Sequence, residues 1–442
     1  MWRRCLLPWR YGSANRCRFE EPDALIRHVR FCEGEDGARP RTSLLDARGQ
    51  GKMRITLLTT WSLINSIGGA ERVFCNLANA MAKRGHQITG ICFDVESGEP
   101  AFPLDCRVTL VNAGVGKKPP FFLTKFMINL RALCFGRARR REKRLLLQEE
   151  FKGPFLISAI RQSCPDVIIA FRPEDAHLVQ FYGKLKVPVV TMSHNSTDVF
   201  LPSYTPECLK QAIQKSVAVQ VLMPSFAEDV KRILPQARVV VIPNPVPQIA
   251  ETANRASHVI VNVGRIDYQK HQDLLVEAFA LIADMYPDWI VKIYGGNRDK
   301  PKLVQKLKKL IKSRGLTSRV LLCGETEDVY RHLKEASIFA FPSRREGFAL
   351  ALAEAMSMGI PPVGCITCPA VNCLIRDEKN GFLSDENAES FAQALTRLMD
   401  SEDERSRLGN VAKKDMRAYA PDKIWDKWEE VLLSVSKDKK IS

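Results

Sequence analysis

The chain has 442 residues, 45% of them apolar and 26% charged, with 25 Gly and 25 Pro. That is about three times the length one hydrophobic core usually serves, so two domains are expected, and a peptide module or a disordered chain is excluded. Lys plus Arg outnumber Asp plus Glu by 66 to 50, a formal +16, which points to an acidic partner: nucleic acid, an anionic membrane surface or a phosphorylated ligand.

Residues 1–52 hold ten Arg, three Cys and a single Lys at position 52, without sustained periodicity. They read as a disordered or adventitious leader, with Met53 opening the folded protein. The start, MWRRCLLPWRYG, has a positive end but lacks the apolar stretch of a secretory signal. No apolar run reaches the roughly 18 residues of a membrane span. The thirteen cysteines are therefore expected to be reduced, most of them small buried side chains.

From Met53 onward, strand-like and helix-like patterns alternate. The run RITLLTTW leads through a Gly pair to a helix over 70–84, with Val73, Leu77, Ala80 and Met81 on one face, and QITGICFD is the next strand. Further apolar runs lie at 166–171, 188–193, 218–224 and 239–243. Such runs joined by helices predict a parallel sheet covered on both faces, forming a first domain over 53–244. The Pro-rich, polar residues 245–257 read as a linker. HVIVNVGRI, IVKIYGG, RVLLCGE and IFAFPS then begin a second α/β domain over 258–420. Residues 421–436 carry Ile424, Trp425, Trp428, Val431 and Leu432 as a helix stripe. Two doubly wound domains facing each other would form a cleft at their strand ends, where such folds bind ligands.

Three loops hold the candidate chemistry. In PSRREGFALALAEAMSMGIPPVG, residues 342–364, Glu346 precedes Gly347 and the helix-forming run that begins Phe348, Ala349, Leu350. That turn would present backbone amides and the positive end of a helix to an anion. Glu354, eight residues beyond Glu346, would share its face if the helix reaches back that far; two solvated glutamates are the bland alternative for the spacing alone. In VGRIDYQKHQDLL, residues 263–275, Arg265 and Lys270 sit between a strand and a helix. A planar fork and a point charge there could neutralise a departing diphosphate, although loop cations are usually idle. In INSIGGAERV, residues 64–73, Gly68 and Gly69 would let the backbone approach phosphate oxygens. The G-x-G-x-x-G spacing is missing, which disfavours a nicotinamide site.

Together these segments resemble the retaining GT-B glycosyltransferases of family 4, the glycosyl transferases group 1, over Met53 to Leu433. The PSRREGFALALAEAM block is the most specific match, accompanied by VGRIDYQK, IYGG, LLCGETEDVYRHLKEASIFAFPS and VIPNPV. The resemblance implies two Rossmann-like domains facing across a cleft, the first taking the acceptor and the second a nucleotide-diphosphate sugar, with residues 421–436 crossing back to the first. By the same resemblance Glu346 would hold the donor sugar, Glu354 the ribose, and Arg265 with Lys270 the diphosphate. Gly68 and Gly69 would close over that diphosphate, and Gly347 to Leu350 would complete the donor site. His194 in TMSHNST falls where the family often carries a His near the reacting sugar; a satisfied structural His is the alternative. No Asp-x-Asp occurs in the chain, so the implied reaction is metal-independent, uses no cofactor, and replaces the leaving group from the same face. Cys373 stands where the family usually has an acidic residue. Cys365, Cys368 and Cys373 form C-x2-C-x4-C without a fourth nearby ligand, so no zinc or iron–sulfur site is expected.

Residues 131–144 carry seven basic side chains against Glu142 and follow the apolar FFLTKFMINL. They read either as a ledge for an anionic bilayer or as a solvated helix face. Residues 301–319 hold seven basic side chains and no acid, with Leu303, Leu307, Leu310 and Ile311 on one face, and read as a surface helix. Neither stretch has aromatic interleaving or zinc-finger spacing, so nucleic acid is not an expected partner. The resulting expectation is transfer of a hexose or N-acetylhexosamine to a lipid-linked or cell-surface saccharide. It would take place in the cytoplasm, with a peripheral seat on the inner membrane face if the ledge engages lipid. A sucrose- or trehalose-type synthase, a phosphorylase and a catalytically silent sugar-nucleotide-binding protein are the alternatives.

Overall fold

The computed structural model describes residues 51–118, 136–297 and 300–437. Apart from Gly51 and Lys52, the expected leader lies outside these residues, as does FFLTKFMINL. The first sheet contains β1 (Arg54–Leu58), β2 (Gln87–Cys92), β3 (Val108–Asn112), β4 (Val167–Ala170), β5 (Val189–Met192), β6 (Ala218–Val221) and β7 (Val239–Val241), in the order β3-β2-β1-β4-β5-β6-β7. The second contains β8 (Val259–Val263), β9 (Ile290–Tyr294), β10 (Val320–Gly324), β11 (Ile338–Phe341), β12 (Pro362–Cys365) and β13 (Phe382–Ser384), in the order β10-β9-β8-β11-β12-β13. The ladders between these strands are all parallel.

The interior strands are short β-branched and apolar runs because both their faces are covered: all four residues of β4, β5, β6 and β11 are buried. Strand order reverses between β1 and β4 and again between β8 and β11. A ligand crevice therefore opens beyond the carboxyl ends of those pairs. Helix Gly69–Lys83 follows β1 and buries Val73, Phe74, Leu77, Ala78 and Met81 against the first sheet. Helix Pro301–Ser313 lays Leu307 and Ile311 into the second core, with Leu303 and Leu310 packed at its edge.

Two features tie the halves together. Helix Pro421–Lys437 inserts Ile424, Trp425, Trp428 and Leu432 into the core of the first sheet. Arg84 Nη2 donates to Asp426 Oδ1 at 2.8 Å, and His86 Nε2 lies 3.1 Å from Glu429 Oε1. A second cluster is continuous across the halves: Val219, Val221, Phe226 and Val230 pack with Phe339, Phe348, Leu352 and Met356. The half-buried Cys373 joins that cluster, and burial pushes its thiol up from the usual range.

Candidate active site

The loop after β8 and the loop after β11 are laced together by one main-chain bond and one side-chain bond. Arg344 N donates to Gln269 O at 2.9 Å, and Gln269 Nε2 donates to Arg345 O at 2.6 Å. This lacing sets Lys270 Nζ 2.5 Å from Glu346 Oε1, with the Glu346 side chain only 9% exposed. Arg265, five residues earlier, is exposed and makes no side-chain hydrogen bond or ion pair among the described residues. The IYGG segment has a packing role here. Gly295 has φ +145°, and a Cβ on it would lie 2.7 Å from the Gly264 carbonyl carbon, so only glycine lets the loop after β9 back onto the loop carrying Arg265.

Glu346 and Glu354 do not share a helix face. The helix runs only Leu350–Ser357, because Ala349 takes a left-handed conformation at φ 58° and breaks the turn that would reach back to Glu346. No side chain caps that helix end. Glu354 is 3% exposed and already engaged: Arg72 Nη2, from helix Gly69–Lys83, lies 2.5 Å from its Oε1, and the Tyr330 hydroxyl donates to the same oxygen at 3.2 Å. Arg72 was not singled out in the sequence, although it falls three residues after Gly69 in the same motif. Its pairing with Glu354 links the two halves beside the Gly68–Gly69 turn, where a Cβ on Gly69 would lie 3.8 Å from Leu350 Cδ1.

His194 follows β5 and meets this turn from the first half. A Cβ on Gly347 would overlap the His194 carbonyl oxygen and lie 2.9 Å from its carbonyl carbon, so the two backbones are in close approach. Four residues after His194, Asp198 Oδ2 accepts from Arg345 Nη1 at 3.0 Å. The His194 ring stacks on Phe171, which follows β4, with centroids 4.9 Å apart, and its buried Nε2 has no hydrogen-bond partner among the described residues. Desolvation lowers its pKa to about 4, so the ring is neutral at pH 7. Thus the loops bring together Gly68, Gly69, His194, Lys270, Glu346, Gly347, Phe348, Ala349, Leu350 and Glu354 at the strand ends, with Arg265 at the open edge.

The histidine shift has a testable sign. An unfolded His titrates near 6.5 and His194 near 4, so the folded state binds fewer protons between those values. The stability His194 contributes is therefore complete above pH 6.5 and lost as pH falls toward 4, by at most about 3 kcal/mol. Asp175, buried and shifted up to about 6, works in the opposite direction but is common to both proteins in a comparison with His194→Phe. Denaturant titrations should show wild type losing about 2–3 kcal/mol more than His194→Phe between pH 7 and pH 4.5. Equal losses would place the acid-labile group elsewhere.

Residues 67–248 match the family model Glycosyltransferase Family 4, and residues 248–415 match Glycosyl transferases group 1. The chain belongs to the group 1 glycosyltransferases. An uncharacterized glycosyltransferase of Haemophilus influenzae is 25% identical over 378 residues, covering 84% of this chain and 97% of that relative. A UDP-Gal:α-D-GlcNAc-diphosphoundecaprenol α-1,3-galactosyltransferase of Escherichia coli is 34% identical over 169 residues, covering 37% of this chain and 41% of that protein. Among solved structures, a sucrose-phosphate synthase from Thermosynechococcus elongatus superposes with a TM-score of 0.71 at 16% identity, over 86% of this chain and 98% of that one. The Anabaena HepE protein in complex with UDP-glucose superposes at 0.67 and 17% identity, over 86% and 100%. This glycosyltransferase thus has the GT-B fold. No described helix is long and apolar enough to cross a membrane, and no cluster of three or more His, Cys, Asp or Glu that could hold a metal occurs among the described residues.

Proposed function

We propose that this glycosyltransferase moves a hexose or N-acetylhexosamine from a nucleotide-diphosphate sugar to a lipid-linked or cell-surface saccharide, with retention of configuration and without a metal. The observation that carries the reading is the Lys270–Glu346 pair at the β8/β11 switch point, on the loop whose Gly347 abuts the His194 carbonyl and whose Leu350 lies beside Gly69. Lys270 and Arg265 would stabilise charge on the departing diphosphate, with the uncapped amides of the turn at Gly347 to Leu350 adding to it. Glu346 would hold the sugar hydroxyls, and Glu354 would reach the ribose when the Arg72 pair opens. The neutral His194 would border the sugar through its carbonyl, and the leaving phosphate oxygen would take the acceptor proton.

The E. coli relative is named for a diphosphoundecaprenol-linked acceptor, which supports a lipid-linked saccharide here. A cytoplasmic enzyme working at the inner membrane face fits that acceptor. The test is a screen of UDP-, GDP- and ADP-sugars for slow hydrolysis in EDTA, with the anomer of the released sugar read by NMR before mutarotation. Nucleoside diphosphate and the retained anomer are expected from one donor class. Complete dependence on divalent metal, or release of the inverted anomer, would overturn the reading.

A further inference from the structure

Beyond the donor cleft the first half contains a second concavity, of about 520 Å³, with an unusual wall. Helix Arg137–Ser163 opens with Arg137, Arg140, Arg141 and Arg144 on one face, by their i, i+3, i+4, i+7 spacing, and all four line it. Arg172, the second residue after β4, adds a fifth guanidinium, and among the described residues Glu174 is the one carboxylate on the wall. Glu174 Oε1 lies 2.9 Å from Arg141 Nη2, and Glu174 Oε2 lies 3.5 Å from Arg172 Nη2. One carboxylate against five guanidinium groups leaves a strong positive excess. The Nε atoms of Arg140 and Arg172 are buried without a hydrogen-bond partner among the described residues.

The arrangement works against the helix that carries it. A helix N-terminus is the positive end of the backbone dipole and favours acidic residues, yet the first turn here holds no acid and a run of arginines. Buried donors without acceptors add a further cost. A phosphate in the concavity would relieve both, since guanidinium groups grip phosphate oxygens with paired hydrogen bonds. An outward basic face laid on a bilayer would leave those inward Nε atoms unmet.

The position fits a substrate. Val199 and Tyr204 also line it, and Val199 lies five residues after His194, whose carbonyl abuts Gly347. Arg172 directly follows Phe171, the ring stacked on His194, and sits over Trp61 at 4.6 Å from the ring centroid. The concavity and the proposed reacting centre thus share two chain segments.

We infer that this arginine-lined concavity is an acceptor subsite that binds the phosphate or diphosphate of a phosphorylated saccharide acceptor, holding it while the sugar hydroxyl reaches the cleft. The inference rests on the glycosyltransferase reading above and names its acceptor class. Two sources share this chemistry: a soluble sugar phosphate, and a diphosphate joined to a membrane-embedded isoprenoid.

The experiment measures binding by full-length protein with UDP, GDP and ADP together present to fill the donor site. The probes are N-acetylglucosamine 1-phosphate, farnesyl diphosphate in detergent micelles, and farnesol in the same micelles. Binding of farnesyl diphosphate alone identifies the isoprenoid-linked source, and comparable binding of both phosphates identifies recognition of the phosphate itself; either supports the subsite. Arg137→Ala and Arg140→Ala remove side chains with no ion pair among the described residues. Each should weaken phosphate binding by about tenfold or more. No phosphate binding by wild type, binding that survives both substitutions, or equal binding of farnesol would overturn it. Sugar-nucleotide hydrolysis with no phosphate binding under these conditions would refute this inference alone and leave the donor reading standing.

Discussion

Lys270→Ala should lower sugar transfer by about 10²–10³-fold, the scale seen when one preorganised stabiliser of developing charge is removed. Two losses combine. The cation that would meet the departing diphosphate disappears, and Glu346, nearly buried and 2.5 Å from the ammonium, loses its partner. A carboxylate left alone there costs stability, although less than the roughly 3–5 kcal/mol of a fully buried pair, because the Lys270 side chain is 22% exposed. Glu346→Gln separates the two losses. It keeps a side chain able to hydrogen-bond and leaves Lys270 without a counter-ion, so nucleotide binding should hold or tighten while turnover falls. The measurements are kcat and KM for the donor beside melting curves of both variants. Wild-type turnover in Lys270→Ala would remove the phosphate assignment.

Gly347→Ala should be nearly as damaging, for a steric reason. The new methyl would overlap the His194 carbonyl oxygen, with the carbonyl carbon at 2.9 Å and Leu222 Cδ1 at 3.1 Å. Leu222 can rotate, but the opposing backbone cannot, so either the Glu346 turn or the His194 loop must retreat. A shift of about 1 Å at a reacting centre can cost on the order of 10²-fold in rate. Overpacking of this kind destabilises by about 1–3 kcal/mol. Both effects should appear together, as a lower melting temperature and a lower kcat. Unaltered turnover with an unshifted melt would show that the turn has room to spare.

The sequence displays much of this architecture because the central strands are covered on both faces and so appear as unbroken apolar runs. The strands absent from that reading explain themselves. β3 is an edge strand without a fully buried residue, β12 starts on Pro362 and contains Gly364, and β13 is three residues long. In the site, Lys270 and Glu346 are visible because each stands in a local strand-to-helix motif. The partners of Glu354 are not, since Arg72 and Tyr330 reach it from elements far apart in sequence. Likewise the face of Arg137, Arg140, Arg141 and Arg144 reads as one basic stretch, but its closure into a concavity depends on Arg172 and on the segment after His194. The helix start at Leu350 turns on one left-handed residue, Ala349, a conformation that alanine rarely marks in a sequence.

The helix Pro421–Lys437 has a consequence for how the protein is made. Its Ile424, Trp425, Trp428 and Leu432 complete a core whose other members begin at Met53. Chains leave the ribosome at about 5–20 residues per second, so the first sheet waits roughly 10–40 s for the second half to emerge before its hydrophobic face is closed. During that interval the nascent first half exposes apolar surface, and the second half can already fold around β8 to β13. Closure of the first half's core is therefore coupled to the arrival of the second half.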